Sequence, residues 1–564
     1  MAEVTDNPRL AEAGTKVERV EHIQKRTLGN VRLRHLDTNE IILIPAPSSD
    51  PNDPLNWSQG YKYYIAAVIC FAMLMCNFLA AGPTIAMVST TMDFFPGANP
   101  ATNPALFGES VAKVAYFFTG TALLQGMGNF IWVPIANKYG RRPTYVLSYL
   151  IYTVCGIWLC FDHSYNGFLA GRVIMGFGAG AAETIAPITI ADVFFLHERG
   201  TVMSLYTSFL SVGVAFGVII SGLITIHHEW RVIYEVATPL VGLVLLIAFF
   251  AFPETAYIRD HKQLQSQSDS DPGSPGPTSS EKSHIATSDA EHQTPSPSTA
   301  PTRPKLTMKA YLESLKIFHG TLTDESLLKL FIRPIGLICL PPVLWAALVQ
   351  SVTIGFLVAV TSNVDVAFQT AYGFQSWQVG LCFVAAIIGS LIGIPAGGHL
   401  GDKVADWFTR RNGGVRDPEM RLPAMIPSLI TTPLALILYG VGIQHKLHWM
   451  CPTVGLGLIN FSIVQGTNVC LVYVIDAYRP VAGEVTLAVM GFKSLFGFLL
   501  SFYTNTWVAQ SGYQDAYGVM AAIAALVILM WVPLYVWGKR VRHATWSWPV
   551  ISYIHWDDDR EVGE

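Results

Sequence analysis

The chain alternates between long apolar stretches and shorter polar connections. Twelve stretches of 19 to 27 residues are almost free of charge, and a helix needs about 20 apolar residues to cross the hydrocarbon of a bilayer. Backbone groups in lipid must pair internally, and barrel strands would be shorter and alternating, so we predict twelve transmembrane helices. These predicted spans cover 63–88, 110–133, 143–161, 168–191, 202–226, 232–252, 335–360, 376–398, 423–443, 448–474, 486–509 and 516–537.

Composition supports this division of the chain. Only 13% of the 564 residues are charged, whereas soluble domains carry about 25%. A net charge of −4 also argues against a nucleic-acid partner. The spans make up half of the chain and contain five charged residues, and each needs a reason because charge is costly in lipid. They are Lys113, Arg172, Glu183, Glu235 and Lys493.

Basic residues give the predicted topology a direction. If the N-terminus is cytoplasmic, the inner segments hold 31 Lys and Arg residues and the outer loops hold two. Cytoplasmic loops of membrane proteins carry this excess. We therefore predict that both termini are cytoplasmic. We expect a plasma-membrane protein, with the vacuole or another internal membrane as the alternative.

The middle of the chain has a different composition. Residues 263–304 are rich in Ser, Pro, Thr and Asp, which predicts a disordered tether between two sets of six spans. Polar loops that follow spans 2 and 8 echo each other, as expected of parallel repeats with a site between them. We predict an N-terminal tail (1–62), a six-helix bundle (63–253), a linker (254–334), a second bundle (335–538) and a C-terminal tail (539–564).

Enzymatic chemistry has no sequence signature in this chain. It contains no phosphate-binding glycine loop, zinc-ligand spacing or nucleophile elbow. All eight cysteines lie in or at the ends of predicted spans, which favours packing over disulfides or metal binding. We expect neither an enzyme nor a bound cofactor or metal.

Several motifs resemble one family. The loop YGRRP at 139–143 is similar to the signature between helices two and three of the major facilitator superfamily, and GRVIMGFG at 171–178 is similar to its helix-four motif. The resemblance covers nearly all of residues 55–540. Further motifs resemble the fungal twelve-span drug:proton antiporter branch: DPLNW at 53–57, HERGT at 197–201, WR at 230–231, PET at 253–255, RNG at 411–413 and PEMRL at 418–422.

The resemblance implies an all-α fold of twelve transmembrane helices in two six-helix bundles. It further implies alternating access, a proton gradient as the energy source, and a monomer that contacts lipid, protons and a small organic substrate. Two departures are present. Val133 and Asn137 stand where the signature has glycine and aspartate, and the helix-five antiporter motif lacks its proline between Gly217 and Gly222.

Three charged residues within spans are the main candidates for coupling. Glu183 follows Arg172 by eleven residues, so both lie on one helix face about 16 Å apart. Glu183 is a candidate proton carrier or cation site; the alternative is a structural carboxyl. The resemblance implies a proton-transfer role for Arg172, with an interfacial arginine as the alternative. Lys493 either pairs with Glu183 across the halves or extends to the inner surface.

Uncharged candidates come from the helices that line the cavity in this superfamily. The polar residues near mid-span are Asn77, Gln350, Gln465 and Asn468, and the aromatic residues are Tyr116 and Tyr473. A set of charges at the cytoplasmic ends is expected to form salt bridges that gate the rocking of the halves, unless it is ordinary positive-inside charge. This gating set is Arg141, Arg142, Asp192, Glu198, Arg199, Asp402 and Lys403.

Together these features predict a secondary transporter, with proton-coupled multidrug-type efflux of an amphipathic drug or secondary metabolite as the main hypothesis. A transporter of polyamines or other small organic cations is the alternative, which the missing helix-five proline favours. A non-transporting nutrient sensor is the remaining class. The short tail after Trp537 argues against it.

Overall fold

The structure is a computed structural model, and it describes residues 31–32, 47–48, 50, 52–98, 103–257, 316, 320–323, 325–546 and 548. The tether predicted at 263–304 lies outside these residues. Six helical spans make up the first half. They are Gln59–Ala81 with Met87–Phe94 (span 1), Pro104–Met127 with Asn129–Tyr139 (span 2), Arg141–Phe161 (span 3), Tyr165–Val193 (span 4), Leu196–Ile224 (span 5) and Val232–Phe250 (span 6).

The second half repeats this arrangement. It contains Pro341–Gln350 with Phe356–Tyr372 (span 7), Ser376–Cys382 with Val384–Gly397 and His399–Arg411 (span 8), Ile426–Gln444 (span 9), Met450–Ala477 (span 10), and Ala482–Leu529 with Trp531–Trp546 (spans 11 and 12). Spans 11 and 12 are separated by a turn at Gly512, whose φ of 81° is a conformation that glycine adopts readily.

Eleven helical segments among the described residues are long and apolar enough to cross a membrane. Span 2 is the exception. It carries the ion pair between Glu109 and Lys113, with 2.9 Å between Oε1 and Nζ, and it places Thr119 and Gln125 toward the interior. Its polar residues therefore lower its hydropathy without changing its place among twelve spans.

Span 7 differs from the prediction. The expected span at 335–360 is instead a separate helix, Leu327–Leu337, followed by helices that continue to Tyr372 through a π-helical turn at Ser351–Gly355. The end of the predicted linker is therefore helical and packs on the bundle. The longer span also brings a sixth charged residue, Asp365, inside the helical bundle.

Span 1 is broken where a proline interrupts it. Pro83 has no N–H, so the carbonyl of Leu79 loses its partner one turn earlier, and the chain passes through a 3₁₀ segment at Gly82–Ala86. The break is packed tightly against span 5, because a Cβ on Gly82 would lie 2.9 Å from the carbonyl oxygen of Gly217.

Small residues set the packing within each half. A Cβ on Gly213 would lie 2.8 Å from the Leu74 carbonyl oxygen, and one on Gly389 would lie 2.0 Å from the Gly457 carbonyl oxygen. Gly213 and Gly217 of span 5 therefore contact span 1, and Gly389, Gly393 and Gly397 of span 8 contact span 10. Both contacts lie inside a half, so these glycines permit close helix packing.

The two ends of the bundle can be told apart by the chain segments they carry. The strand Val31–Arg32 pairs with Val415–Arg416 beside span 9, and the Tyr257 hydroxyl donates to Asp50 at 3.0 Å. We call this the tail end. The opposite end, where spans 1 and 2 meet, is the far end. Further short 3₁₀ turns lie at the tail end, at Pro54–Asn56, Pro418–Met425 and Arg479–Val481.

Candidate substrate cavity and tail-end closure

A cavity of about 140 Å³ lies between the halves, in the far part of the bundle. Spans 1, 2, 5, 7 and 11 contribute its walls, which mix apolar groups with amides and hydroxyls. Thr361 and Ser362 are half-buried, whereas Glu183 at the other extreme is only 3% exposed. The cavity is therefore more accessible from the far end than from the tail end. Representative wall residues are Asn77, Phe118, Thr119, Leu357, Ser362 and Phe498.

Glu183 and Lys493 form the floor of this cavity. The Lys493 ammonium donates to Glu183 Oε1 in an ion pair that joins span 4 of the first half to span 11 of the second. Both residues line the cavity, and Lys493 is 5% exposed. Lys493 therefore reaches Glu183 and does not extend to the tail-end surface. The pair is a direct electrostatic link between the halves.

Spans 2 and 11 close the bundle just beyond this ion pair. A Cβ on Gly126 would lie 1.9 Å from the Ser494 Cβ, and one on Gly491 would lie 2.5 Å from the Phe130 ring. Only glycine allows these backbones to approach so closely. These contacts between spans 2 and 11 therefore bound the cavity on its tail side, next to the buried Glu183–Lys493 pair.

Arg172 lies away from the cavity and supports the break in span 1. Its guanidinium donates to the carbonyl oxygens of Leu79 at 3.0 Å, Ala80 at 3.2 Å and Phe117 at 3.2 Å. The Leu79 carbonyl is the one that Pro83 leaves without a helical partner. The shared helix face predicted for Arg172 and Glu183 does not bring both side chains to the cavity, because the Arg172 side chain turns toward the backbone of spans 1 and 2.

The uncharged candidates divide into two groups. Asn77 lines the cavity. Gln350, Gln465, Asn468 and Tyr473 are fully buried in the second half and lie outside the cavity wall.

Two of these buried amides have partners that explain their position. Gln465 pairs with Ser428 and with the Ala424 carbonyl, whereas Asn468 donates across the halves to the Gly200 carbonyl at 3.3 Å. Tyr116 is 38% exposed on the outer surface of span 2, so its expected place in the cavity wall is wrong. Its neighbours Ala115, Phe118 and Thr119 take that place.

In the first half, the tail-end charges form a network around Arg141. Its Nε atom lies 3.1 Å from Asp192 Oδ2. The backbone N–H groups of Arg141 and Arg142 donate to the Glu254 carboxylate at 2.9 and 3.2 Å, so an acid caps the helix that begins there. Nearby, Arg199 donates to the Ala191 carbonyl at 3.0 Å. All of these contacts lie within the first half.

Glu198 and the second half complete the predicted gating set. Glu198 accepts a hydrogen bond from Gln59 at 3.0 Å. Asp402 pairs with Arg421 at 2.6 Å and also faces the first half, since a Cβ on Gly200 would lie 2.4 Å from Asp402 Oδ1. Lys403 is exposed and belongs to none of the ion pairs found among the described residues, so its predicted salt bridge is not formed here.

Arginine is also concentrated at the surface loop before span 9. Burial lowers the pKa of Arg416, as does the neighbouring Arg421 guanidinium. Asp406 offsets this effect with a carboxylate 3.7 Å from Arg416 Nη1. Farther along, Arg542 near the end of span 12 pairs with Glu419 at 3.1 Å. In the first half, Glu254 after span 6 likewise contacts the start of span 3, but it does so through the backbone N–H groups of Arg141 and Arg142.

A further contact between the halves was not predicted from the sequence. Arg333, on the helix before span 7, is fully buried and lies 2.9 Å from Glu325 and 3.6 Å from Glu484 at the start of span 11. Glu484 in turn accepts from Asn137 of the first half at 3.4 Å. Lys138 donates to the Glu325 carbonyl at 3.1 Å. We call these five residues the linker clasp.

The sequence did contain one signal for the clasp. Asn137 stands where the family signature has an aspartate, and the carboxylate at this junction is instead Glu484, which is provided by span 11. Its counter-charge, Arg333, lay in what we predicted to be linker. A missing acid in the signature was therefore a reason to search the opposite half for one.

Comparison with known proteins agrees with this architecture. The family model of the Major Facilitator Superfamily matches residues 67–500. The chain belongs to the Major Facilitator Superfamily. Within it, an uncharacterized MFS-type transporter of Schizosaccharomyces pombe is 26% identical over 531 residues, which are 90% of this chain and 89% of the relative. A probable efflux pump, mfs2 of Aspergillus flavus, is 24% identical over 77% of this chain and 94% of its own.

The fold is also found in solved structures. The proton:xylose symporter XylE, bound to a bromo-deoxyglucose, has a TM-score of 0.56 over 85% of this chain and 97% of its own at 14% identity. The predicted all-α fold of two six-helix bundles is therefore confirmed. This major facilitator protein is a multi-pass membrane transporter, and transporters of this superfamily are generally not enzymes.

Proposed function

We propose that this transporter exports an amphipathic organic compound in exchange for protons, with Glu183 as the proton-binding group. We further propose that it acts at the plasma membrane with both tails in the cytoplasm, so that the far end faces outward. The observation that carries the proposal is the ion pair between Glu183 and Lys493, which joins the halves at the cavity floor.

The chemistry of the pair suggests how a proton drives the cycle. While Glu183 is charged, it holds Lys493 and keeps the tail end closed. A proton that enters from the far end neutralises Glu183 and removes the attraction between spans 4 and 11. The closed state then loses one of its inter-half links, and the tail end opens so that the proton is delivered to the cytoplasm.

The cavity wall supports an amphipathic substrate. Phe118, Leu357 and Phe498 offer apolar and aromatic surface, while Asn77 and Ser362 offer hydrogen bonds. Walls that combine apolar surface with a few polar groups are typical of sites for organic ligands. Export, as opposed to uptake, is supported by the efflux pump among the relatives.

A transport assay tests the proposal. Inside-out vesicles that contain the protein should take up the amphipathic dye rhodamine 6G when their lumen is made acidic, and Glu183→Gln should abolish the response to the gradient. Glu109→Gln, which changes an exposed carboxyl in span 2, is the matched control. Dye uptake that ignores the gradient, or that survives Glu183→Gln unchanged, would refute proton coupling through Glu183.

Small organic cations form a second candidate class, because Glu183 is the carboxylate that lines this cavity. An ammonium group of a polyamine would replace Lys493 at Glu183 and leave the lysine charge without a counter-ion. Because of this cost, we rank small organic cations below uncharged amphipathic compounds as the substrate class. Competition of gradient-driven dye uptake by spermidine in the wild-type protein would favour small organic cations over uncharged compounds.

A further inference from the structure

Span 7 carries a second buried carboxyl, Asp365. It is 4% exposed, and neither of its oxygens has a hydrogen-bond partner of normal geometry among the described residues. Gln369, one helical turn later, and Ser376, in the first turn of span 8, are the polar groups beside it. Buried polar atoms in native proteins are nearly always paired, so an unpaired carboxylate requires an explanation.

Asp365 lies at the far-end seam between the halves. It follows Val358 by seven residues and Thr361 by four, so it shares their helix face one turn beyond the cavity wall. The seam itself is tight there. A Cβ on Gly222 of span 5 would lie 3.3 Å from the Ser376 carbonyl oxygen. The first turn of span 8 thus separates Asp365 from the opposite half.

Among the described residues, no counter-charge lies beside Asp365. The titratable groups packed against this far-end part of span 7 are phenols and a thiol, whereas Glu183 and Lys493 face the cavity part of the span. Tyr439 of span 9 and Tyr517 of span 12 donate to Asn363 at 3.2 Å, and Cys382 is buried on span 8. In the loop after span 5, His228 faces a separate far-end pocket with Ser89, Asp93 and Glu229. A carboxylate without a cation or hydrogen bonds is strongly disfavoured inside the bundle.

We propose that Asp365 is a second proton-binding site, protonated in this conformation and deprotonated when the far-end seam parts and admits water. The protonated carboxyl is neutral, and its hydroxyl becomes a donor for the amide oxygen of Gln369. Proton retention follows from the burial of Asp365 alone. Release during transport rests on the proposed proton-driven cycle.

Infrared spectroscopy tests proton retention without any transport substrate. Purified protein near neutral pH should show the C=O stretch of a protonated carboxyl, and Asp365→Asn should remove one carboxyl equivalent of this band. Asp515→Asn, at an exposed far-end position, should leave it unchanged. A band of equal intensity in Asp365→Asn and the wild type would overturn the proposal. Asparagine keeps a neutral polar group, so monodisperse elution of the variant is expected and is checked first.

A second measurement tests proton release. Cysteine at Val218, which is fully buried and whose carbonyl oxygen faces Gly380 across the seam, is alkylated by a maleimide only when the seam opens, and the rate is normalised to a free cysteine peptide at each pH. If opening of the seam releases one proton, its equilibrium constant rises tenfold for each unit by which the pH is raised. Asp365→Asn should lose this tenfold contribution, while Glu183→Gln should keep it. An identical pH slope in Asp365→Asn and its parent would overturn the release step.

Discussion

The ion pair at the cavity floor should make the conformation of the transporter sensitive to single substitutions and tolerant of a double one. Glu183→Gln leaves the Lys493 charge buried without a partner, and Lys493→Met leaves the Glu183 charge buried without a partner. Replacing both removes the two charges together. We therefore expect each single variant to favour the tail-open state and the double variant to return toward the wild type.

The magnitude follows from the burial of the pair. Its members are 3% and 5% exposed, and no other charged side chain lines the cavity among the described residues. At an effective dielectric constant of about 20, two charges about 4 Å apart attract by about 4 kcal/mol, in line with the 3–5 kcal/mol that breaking a buried pair costs. Since about 1.4 kcal/mol is tenfold, each single variant should shift the conformational equilibrium at least 100-fold.

A reporter at the tail-end seam measures this shift. Asn468 is fully buried and contacts Gly200 of the opposite half, so a cysteine there is alkylated only when the tail end opens. The alkylation rate should rise at least 100-fold in both single variants and lie within about tenfold of the starting protein in the double variant. If the effects of the two single substitutions simply add in the double variant, Glu183 and Lys493 do not act as a pair.

Three further substitutions have separate expected outcomes. Arg172→Met should lower the free energy of unfolding by about 1–3 kcal/mol, because it leaves span 1 carbonyls unpaired. Pro83→Ala restores a backbone donor and should recover part of the lost stability. Equal melting temperatures of Arg172→Met with and without Pro83→Ala would contradict this. Arg333→Ala should speed alkylation of the tail-end reporter at least tenfold, because it leaves the clasp carboxylates buried without their cation. Gly126→Ala should separate spans 2 and 11 and reduce dye transport, and adding Ser494→Gly should restore transport. If Ser494→Gly does not rescue Gly126→Ala, these two residues are not in direct contact.

The fold was accessible from sequence because it depends on features that lie along the chain. Apolar segments near 20 residues long define the spans, and charge between them divides the halves. The errors occurred where polar residues enter a helix. The predicted span 7 ends at 360, whereas burial against spans 8, 9 and 12 keeps the following turns, which contain Asn363 and Asp365, helical.

Only part of the candidate site could be predicted from the sequence, because residue spacing does not show in which direction a side chain points. Eleven residues separate Arg172 from Glu183, which placed them on one face, yet a helix face can meet both a cavity and a neighbouring backbone. For Arg172 the neighbouring backbone is the partner, because the break at Pro83 leaves the Leu79 carbonyl without its helical donor and the long Arg172 side chain donates to it. This partner of Arg172 lies on another span, and the spacing of residues within one span contains no information about contacts with another.

The distribution of contacts between the halves bears on the proposed coupling to protons. At the tail end the halves share the linker clasp, the hydrogen bond of Asn468 and the approach of Gly200 to Asp402. Among these links, the Glu183–Lys493 pair is the one whose residues line the cavity. A proton that arrives through the cavity therefore reaches this link first. Neutralising Glu183 removes one inter-half attraction and leaves the others intact, so the halves remain associated while the balance between the two conformations changes.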